Sequence, residues 1–238
     1  MAEIIDYTLQ DSNVLLKTIY NRVEEMKARG FDETKSKALT AAHDELIVKD
    51  TAQKKAITYA EDKTAELKSI ENLATSLIKK LKNAVKSAYE EEPRKLKLFL
   101  IGEAIPLSVK ALSTKLRYYI DILPEHNEVL LKNGMIQSDL DSFNTLYNSL
   151  LLADSEQDKA NKAQVAATKA RNDAMKNLQK KMKTTRSFAK ACFAENPDIL
   201  VEFEPVSKGR NIAKENDKGN GTETKTTEVT TEEQSKAN

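Results

Sequence analysis

The chain has 238 residues, 39% apolar and 32% charged, which is enough for one or two domains with a hydrophobic core. Its net charge of +1 is too small for the field of the whole molecule to attract a polyanion, so such a partner would require a local basic patch. Six glycines, five prolines and no tryptophan, in a chain rich in Ala, Lys, Glu and Leu, exclude a turn-rich β fold and indicate an all-α protein.

The cellular compartment is suggested by what the sequence lacks. Cys192 is the single cysteine, which excludes an intramolecular disulfide and a cysteine-based zinc site and fits a reducing compartment. The first residues, MAEIIDYTLQD, carry acids where a secretion signal needs bases, and no stretch is apolar enough to span a membrane. We therefore expect a cytoplasmic protein.

The first helix is predicted from apolar periodicity. Between Val14 and Met26 apolar residues recur every three or four positions, as on one face of an amphipathic helix. Asp11 and Ser12 precede this run and are candidate N-caps. Gly30 follows the run and is expected to end the helix.

A second helix is predicted to begin at Asp32 or two residues later and to reach Asp50. Asp50 and Gln53 have the spacing of a capping box, which favours a break or kink there; a continuous helix with a solvent-facing Asp50 is the alternative. From Ala56 to Ala88, apolar residues spaced by three, four or seven follow a heptad seam, the pattern of a coiled coil. Pro93 is expected to end this long helix.

The second half repeats this order of elements. After Pro106, periodicity predicts a helix from Val109 to Leu123, then a short helix that Gly134 ends. Further helices are predicted on both sides of Asp154, and the second of them runs from Ala160 to Cys192. Each half closes with a partly alternating segment, KLKLFLI in the first and ILVEFEP in the second, which predicts a short extended segment.

The two halves align without a gap at an offset of 104 residues. KDTAQKKA, from Lys49, lies on ADSEQDKA, from Ala153, and SAYEEEPRKLKLF lies on ACFAENPDILVEF. Of the 70 pairs from Gly30/Gly134 to Phe99/Phe203, 13 are identical, whereas composition alone would give roughly 5. The alternative is two unrelated helical hairpins of similar composition.

These patterns together predict an elongated up-and-down helical bundle built from two pseudo-equivalent repeats. We expect residues 1–104 to form the first unit and residues 105–206 the second, each ending in a short extended segment, and the two units to pack as one domain. Residues 207–238 contain no aromatics and few apolar residues, so we expect a disordered tail.

The usual catalytic motifs are missing from the sequence. There is no Glu-x-x-His pair for a di-iron bundle, no Gly-rich phosphate loop and no nucleophile elbow. We interpret His43 and His126 as surface polar groups because they lie among charged neighbours. Cys192 falls on the apolar seam, which predicts a buried thiol. We therefore expect no catalytic residue, cofactor or bound metal.

Basic residues cluster near the ends of both predicted long helices. From Lys169 to Lys190 eight basic residues accompany one acid, and the equivalent window from Ala65 to Lys86 has five lysines and two acids. Two such ends on one side of a bundle could hold nucleic acid or an anionic membrane surface. The candidate residues are Lys79, Lys80, Lys82, Lys176, Lys180, Lys181, Lys183 and Arg186.

Two functions follow from the sequence. The first is a non-enzymatic scaffold or assembly protein whose partner is another protein or a second copy of the chain. The second is polyanion binding through the basic helix ends. Two arguments oppose polyanion binding. Lysine runs usually form a solvated helix face, and the acidic earlier helices can pack beside the basic later ones.

Overall fold

The computed structural model describes residues 2–206, and the predicted disordered tail, 207–238, lies outside the described residues. Within 2–206 every regular element is helical, which confirms the predicted all-α class. A 3-10 turn, Leu123–His126, lies between the fifth and sixth helices. The helices are α1 (Ala2–Asn21), α2 (Val23–Ala28), α3 (Glu33–Ala88), α4 (Pro93–Leu98), α5 (Val109–Ile122), α6 (Asn127–Lys132), α7 (Gln137–Cys192) and α8 (Pro197–Glu202).

The two long helices, α3 and α7, pack against each other in opposite directions. Each contains 56 residues and is therefore about 84 Å long at about 1.5 Å per residue. Near the middle, the Gln157 amide donates to Thr64 Oγ1 at 3.2 Å. At the two extremes, Lys80 pairs with Asp139, and Lys35 lies 4.8 Å from the ring centroid of Phe188.

Two separate hydrophobic cores form, one at each end of this helix pair. We call them the α5 end and the α1 end. The α5 end joins the C-terminal half of α3 to α4, α5, α6 and the start of α7, around side chains such as Leu81, Phe99 and Tyr119. The α1 end joins α1, α2, the start of α3, the last part of α7 and α8, around Leu39 and Leu178.

A thinner segment, here called the rod, connects the two ends. It consists of residues 47–66 of α3 and 154–173 of α7, which lie between the two cores. Ala60 and Ala160 are its buried apolar residues, and small side chains of this kind let helix axes approach closely. Its other buried side chains are polar: Asp50, Gln53 and Arg171. Packing of the two end cores must therefore contribute most of the apolar burial that holds α3 to α7.

The predicted break at Asp50 is wrong, because α3 continues from Glu33 to Ala88 without interruption. The Asp50 carboxylate is buried and pairs with Lys54 one turn later at 2.8 Å, so it does not cap a new helix. The helix before Asp50 already supplies carbonyl partners for the amides that follow, and no cap is needed. Helix α7 likewise runs through Asp154, which is exposed.

The two predicted extended segments are also wrong, because both are short helices. In α4 and α8 a proline occupies the first helical turn, where its fixed φ angle favours a helix and its missing N–H costs nothing. Leu96 and Leu98 of α4 pack on the α5 end, whereas Ile199 and Leu200 of α8 pack on the α1 end. The two segments therefore lie at opposite ends of the molecule.

The first helix begins earlier than predicted, at Ala2, and ends at Asn21. Asp11 and Ser12 therefore lie inside the helix and make tertiary contacts: Ser12 Oγ lies 2.7 Å from His43 Nδ1. The predicted stops at Gly30 and Gly134 are confirmed, since both glycines follow a helix and have positive φ angles of 87° and 98°. Asp32 caps α3 by accepting a hydrogen bond from the Thr34 amide at 2.6 Å.

We predict that Gly30→Ala and Gly134→Ala each lower the free energy of unfolding by about 1 kcal/mol, because a Cβ disfavours this left-handed backbone. A Cβ built at either glycine meets no atom within 4 Å, so crowding does not contribute. Asparagine tolerates positive φ better, and Gly134→Asn should cost less than Gly134→Ala. Urea unfolding measures the difference, and equal losses for Asn and Ala would contradict the backbone explanation.

Candidate functional site: the basic face of α7

The basic residues predicted as a binding surface differ in what they contact. Four lysines of α7, Lys176, Lys180, Lys181 and Lys183, are exposed. None of them forms an ion pair within residues 2–206. An exposed lysine without a carboxylate partner keeps its whole charge available to a ligand. We call these four lysines the basic face of α7.

Of the three candidate lysines of α3, two are engaged in contacts within the protein. Lys80 forms an ion pair with Asp139, the third residue of α7. Burial alone would raise the pKa of Asp139, but hydrogen bonds from Lys80 and from the Ile136 amide hold it below its usual value. Lys82 donates to the Glu103 carbonyl oxygen at 2.5 Å, and burial together with the nearby Lys115 lowers its pKa. Lys79 is exposed.

The structure does not bring the two basic sets together. Because α3 and α7 are antiparallel, Lys80 lies level with Asp139, at the start of α7. Lys180 is then roughly 60 Å farther along α7, at about 1.5 Å per residue. The expectation of two basic helix ends on one side of the bundle is therefore wrong, since antiparallel pairing places the two C-terminal ends at opposite ends of the molecule.

Arg186 has a structural role. Its Nη2 and Nη1 atoms donate to the two carboxylate oxygens of Asp11 in α1 at 2.7 and 3.1 Å, and its Nε donates to the Phe203 carbonyl at 2.7 Å. The Val206 amide also donates to Asp11 at 2.9 Å, and the Tyr7 hydroxyl donates to the Val206 carbonyl. The bidentate pair therefore ties residues 203–206 to α1 and α7, and its charge is neutralised.

An open groove of about 960 Å³ lies beside this ion pair, between the N-terminal half of α1 and the C-terminal part of α7. Met182, Leu200 and Phe203 give it an apolar floor. Lys183 and Lys190 line it as well. The groove belongs to the α1 end, as the basic face of α7 does.

Neither histidine is the free surface group that its charged neighbours suggest. His126 is only 6% exposed, and its Nδ1 lies 2.9 Å from the Tyr89 hydroxyl. Burial lowers its pKa, and the nearby Lys95 lowers it further. His43 is half-buried and contacts Ser12. The sequence gives no signal for these contacts, because the partners are more than 30 residues away from each histidine.

Cys192 is buried, as its position on the seam predicts, and burial raises the pKa of its thiol. Across residues 2–206, no group of three or more His, Cys, Asp and Glu side chains is placed to hold a metal ion. No helix in the same range combines the length and the apolar character needed to cross a bilayer.

Comparison with protein-family models gives no match, and no curated protein or solved structure matches the chain either. Its function has to be inferred from its own geometry.

We predict that Arg186→Met lowers the free energy of unfolding by about 3 kcal/mol, because it leaves the buried Asp11 carboxylate without its charged partner. Lys183→Met, one turn away on the exposed face, should change it by less than about 0.5 kcal/mol. Chemical denaturation of the two variants provides the comparison. Similar losses in both would show that Arg186 has no special structural role.

Proposed function

We propose that the chain is a non-enzymatic spacer or assembly protein that holds two binding ends apart. The observation that carries the proposal is the full-length antiparallel packing of α3 and α7, which leaves two separate cores joined by the rod. At 20 residues in each helix, the rod extends about 30 Å between the cores. Protein partners of the two ends would be held farther apart than this.

The architecture we propose for this role is two copies of one helical unit, residues 1–104 and 105–206. The bounds of three helices support it, because α2, α3 and α4 recur as α6, α7 and α8 at an offset of 104 residues. The glycines with positive φ before the long helices follow the same offset. A pseudo-twofold axis through the middle of the rod would relate the units, and each unit would supply most of one end and half of the rod.

Exposed apolar side chains on the rod support a protein partner. Ile47, Val48, Tyr59 and Val165 are all large and exposed, and Val165 is 70% exposed. Single exposed apolar residues are ordinary on protein surfaces, but here they lie on the segment with the smallest apolar core. Covering them with a partner would add the apolar burial that the rod lacks.

We predict that the two ends stay far apart in solution. With Cys192→Ala as background, fluorophores on Lys37→Cys and Lys86→Cys of α3 should be about 74 Å apart, 49 residues at about 1.5 Å each. Single-molecule energy transfer measures this distance. A high transfer efficiency, or a compact particle in small-angle scattering, would overturn the spacer proposal.

The spacer role itself is tested by photo-crosslinking in the native host. A crosslinking residue at Val48 or Val165 should capture the same polypeptide, whereas one at the exposed, polar Lys162 of the same rod should not. Equal capture from all three positions would indicate random collision and would count against a partner on the rod.

Polyanion binding is a second candidate, and the unpaired lysines of the basic face of α7 favour it. The α1 end is the favoured place for it, because Lys80, Lys82 and Arg186 are engaged in contacts of their own. A ligand there would meet four neighbouring charges on successive turns of one helix.

We predict that a DNA duplex or anionic vesicles would bind through this face with a steep salt dependence, because bound phosphates release counterions. The charge reversals Lys180→Glu, Lys181→Glu and Lys183→Glu should abolish the binding, while Lys79→Glu, at the other end, should leave it unchanged. Fluorescence anisotropy for DNA and co-sedimentation for vesicles measure it. No binding at low salt would remove this candidate.

A further inference from the structure

A small pocket with no acidic lining lies between the first turn of α3 and the last third of α7. Its volume is about 420 Å³, within the range of small-molecule sites. Residues Thr34, Lys35 and Ala38 line it from α3. On α7 the lining residues are Asn177, Lys180, Lys181, Thr184 and Thr185. Three lysines, three threonines and one asparagine therefore line one cavity.

The three lysines of the pocket have no carboxylate partner within the part of the chain that the structure describes. The ammonium of Lys35 lies 4.8 Å from the centre of the Phe188 ring, a cation–π contact that restrains this side chain. The carboxylate of Asp32, the cap of α3, accepts the Thr34 amide and also interacts electrostatically with Lys35, so it offsets part of that charge. The pocket thus holds net positive charge, mainly from Lys180 and Lys181.

Thr185 is the second and independent observation. It lines the pocket and is only 5% exposed. Its hydroxyl nevertheless forms no hydrogen bond with any residue in the range 2–206, whereas the neighbouring Thr184 hydroxyl donates to the Lys180 carbonyl at 3.0 Å. The hydroxyl is not one of the fully buried polar atoms that lack a partner, so it keeps access to solvent, and a ligand oxygen in the pocket would replace water as its hydrogen-bond partner.

The residues related to the pocket by the 104-residue offset show that it departs from ordinary core packing. Thr185 corresponds to Leu81 and Lys181 to Leu77, and both leucines are buried in the α5 end. Lys35 corresponds to Asp139. The α5 end has Leu77, Leu81 and Asp139 at this level. The α1 end has Lys181, Thr185 and Lys35 instead, and the space between them remains open.

We propose that this pocket binds a phosphate or sulfate group, either free or as the monoester of a small organic molecule. The ammonium groups of Lys35, Lys180 and Lys181 neutralise the anion, and the hydroxyl of Thr185 donates a hydrogen bond to one of its oxygens. The positive end of the α3 dipole adds a smaller attraction. The pocket volume leaves room for an organic group beyond the anion.

This binding does not depend on the spacer role, which needs no pocket. It also differs from polyanion binding, because Thr185 is buried and a long polymer on the exposed lysines would not reach it. The pocket is therefore tested separately from both.

The test is an NMR titration of the full chain with inorganic phosphate, inorganic sulfate and phenyl phosphate. We expect saturable shifts confined to residues 33–38 and 177–185. Lys180→Gln with Lys181→Gln should weaken binding about ten-fold or more, and Thr185→Val, which keeps the shape and removes the hydroxyl, about five-fold. Dispersed spectra of each variant establish that it folds.

Matched controls separate the pocket from general charge attraction. The double variant Lys176→Gln with Lys183→Gln removes the same charge from the same helix outside the pocket. Thr40→Val removes an exposed hydroxyl from α3. Each of these two control proteins should bind phosphate as the unaltered chain does. Equal weakening by the control and pocket variants, or a Thr185→Val variant that binds normally, would overturn the proposal.

Binding to vesicles of phosphatidylcholine mixed with phosphatidic acid, compared with binding to phenyl phosphate, shows whether the phosphate group comes from a lipid headgroup or from a soluble monoester. Binding to these vesicles that is lost in Thr185→Val, with none to phenyl phosphate, would assign the pocket to a lipid headgroup. Binding to phenyl phosphate alone would assign it to a soluble monoester. Binding to a DNA duplex without any phosphate-induced shift in the pocket would overturn the pocket and leave polyanion attraction to the exposed lysines.

Discussion

The antiparallel packing of α3 and α7 is the constraint on which the rest of the structure depends. The rod buries Ala60 and Ala160 as its apolar residues, so its own packing contributes little apolar burial. The end cores fix the register instead, because each one clamps the start of one long helix to the finish of the other. Each end is consequently made of residues from both halves of the chain, and neither half contains a complete core of its own.

The same constraint determines where charge can act. Antiparallel helices separate their C-terminal ends, so two stretches that are both basic in sequence face different surroundings. At the α5 end, Asp139 and the Glu103 carbonyl engage Lys80 and Lys82. At the α1 end, Asp11 neutralises Arg186, and the basic face of α7 keeps its charge. Sequence charge density is therefore a poor guide to available charge, because tertiary partners from distant segments neutralise part of it.

Local signals were sufficient for much of the fold. The helix stops at Gly30 and Gly134 and the start of α3 near Asp32 depend on residues within one turn, and the sequence predicted all three positions. The capping-box spacing at Asp50 predicted a helix break that is absent, because the continuing helix already supplies partners for the backbone amides there. The alternating pattern after Pro93 predicted an extended segment, but the structure has a helix there. In a segment of six residues, packing on a core and not the local pattern decides between strand and helix. The buried state of His126 depends on Tyr89, which is distant in sequence.

The candidate pocket shows the limit of sequence prediction most sharply. Lys180 and Lys181 stand out in a charge count, but Lys35 does not, since it sits in an ordinary mixed-charge stretch 145 positions before Lys180. Thr185 falls in the middle of a heptad seam, where a polar residue usually means an imperfect seam. Only the structure brings Thr185, Ala38 and the three lysines to one pocket. At the α5 end, Leu77 and Leu81, which lie 104 positions before Lys181 and Thr185, fill the core. The α1 end lacks that apolar packing, and ligand binding in the pocket would account for its absence.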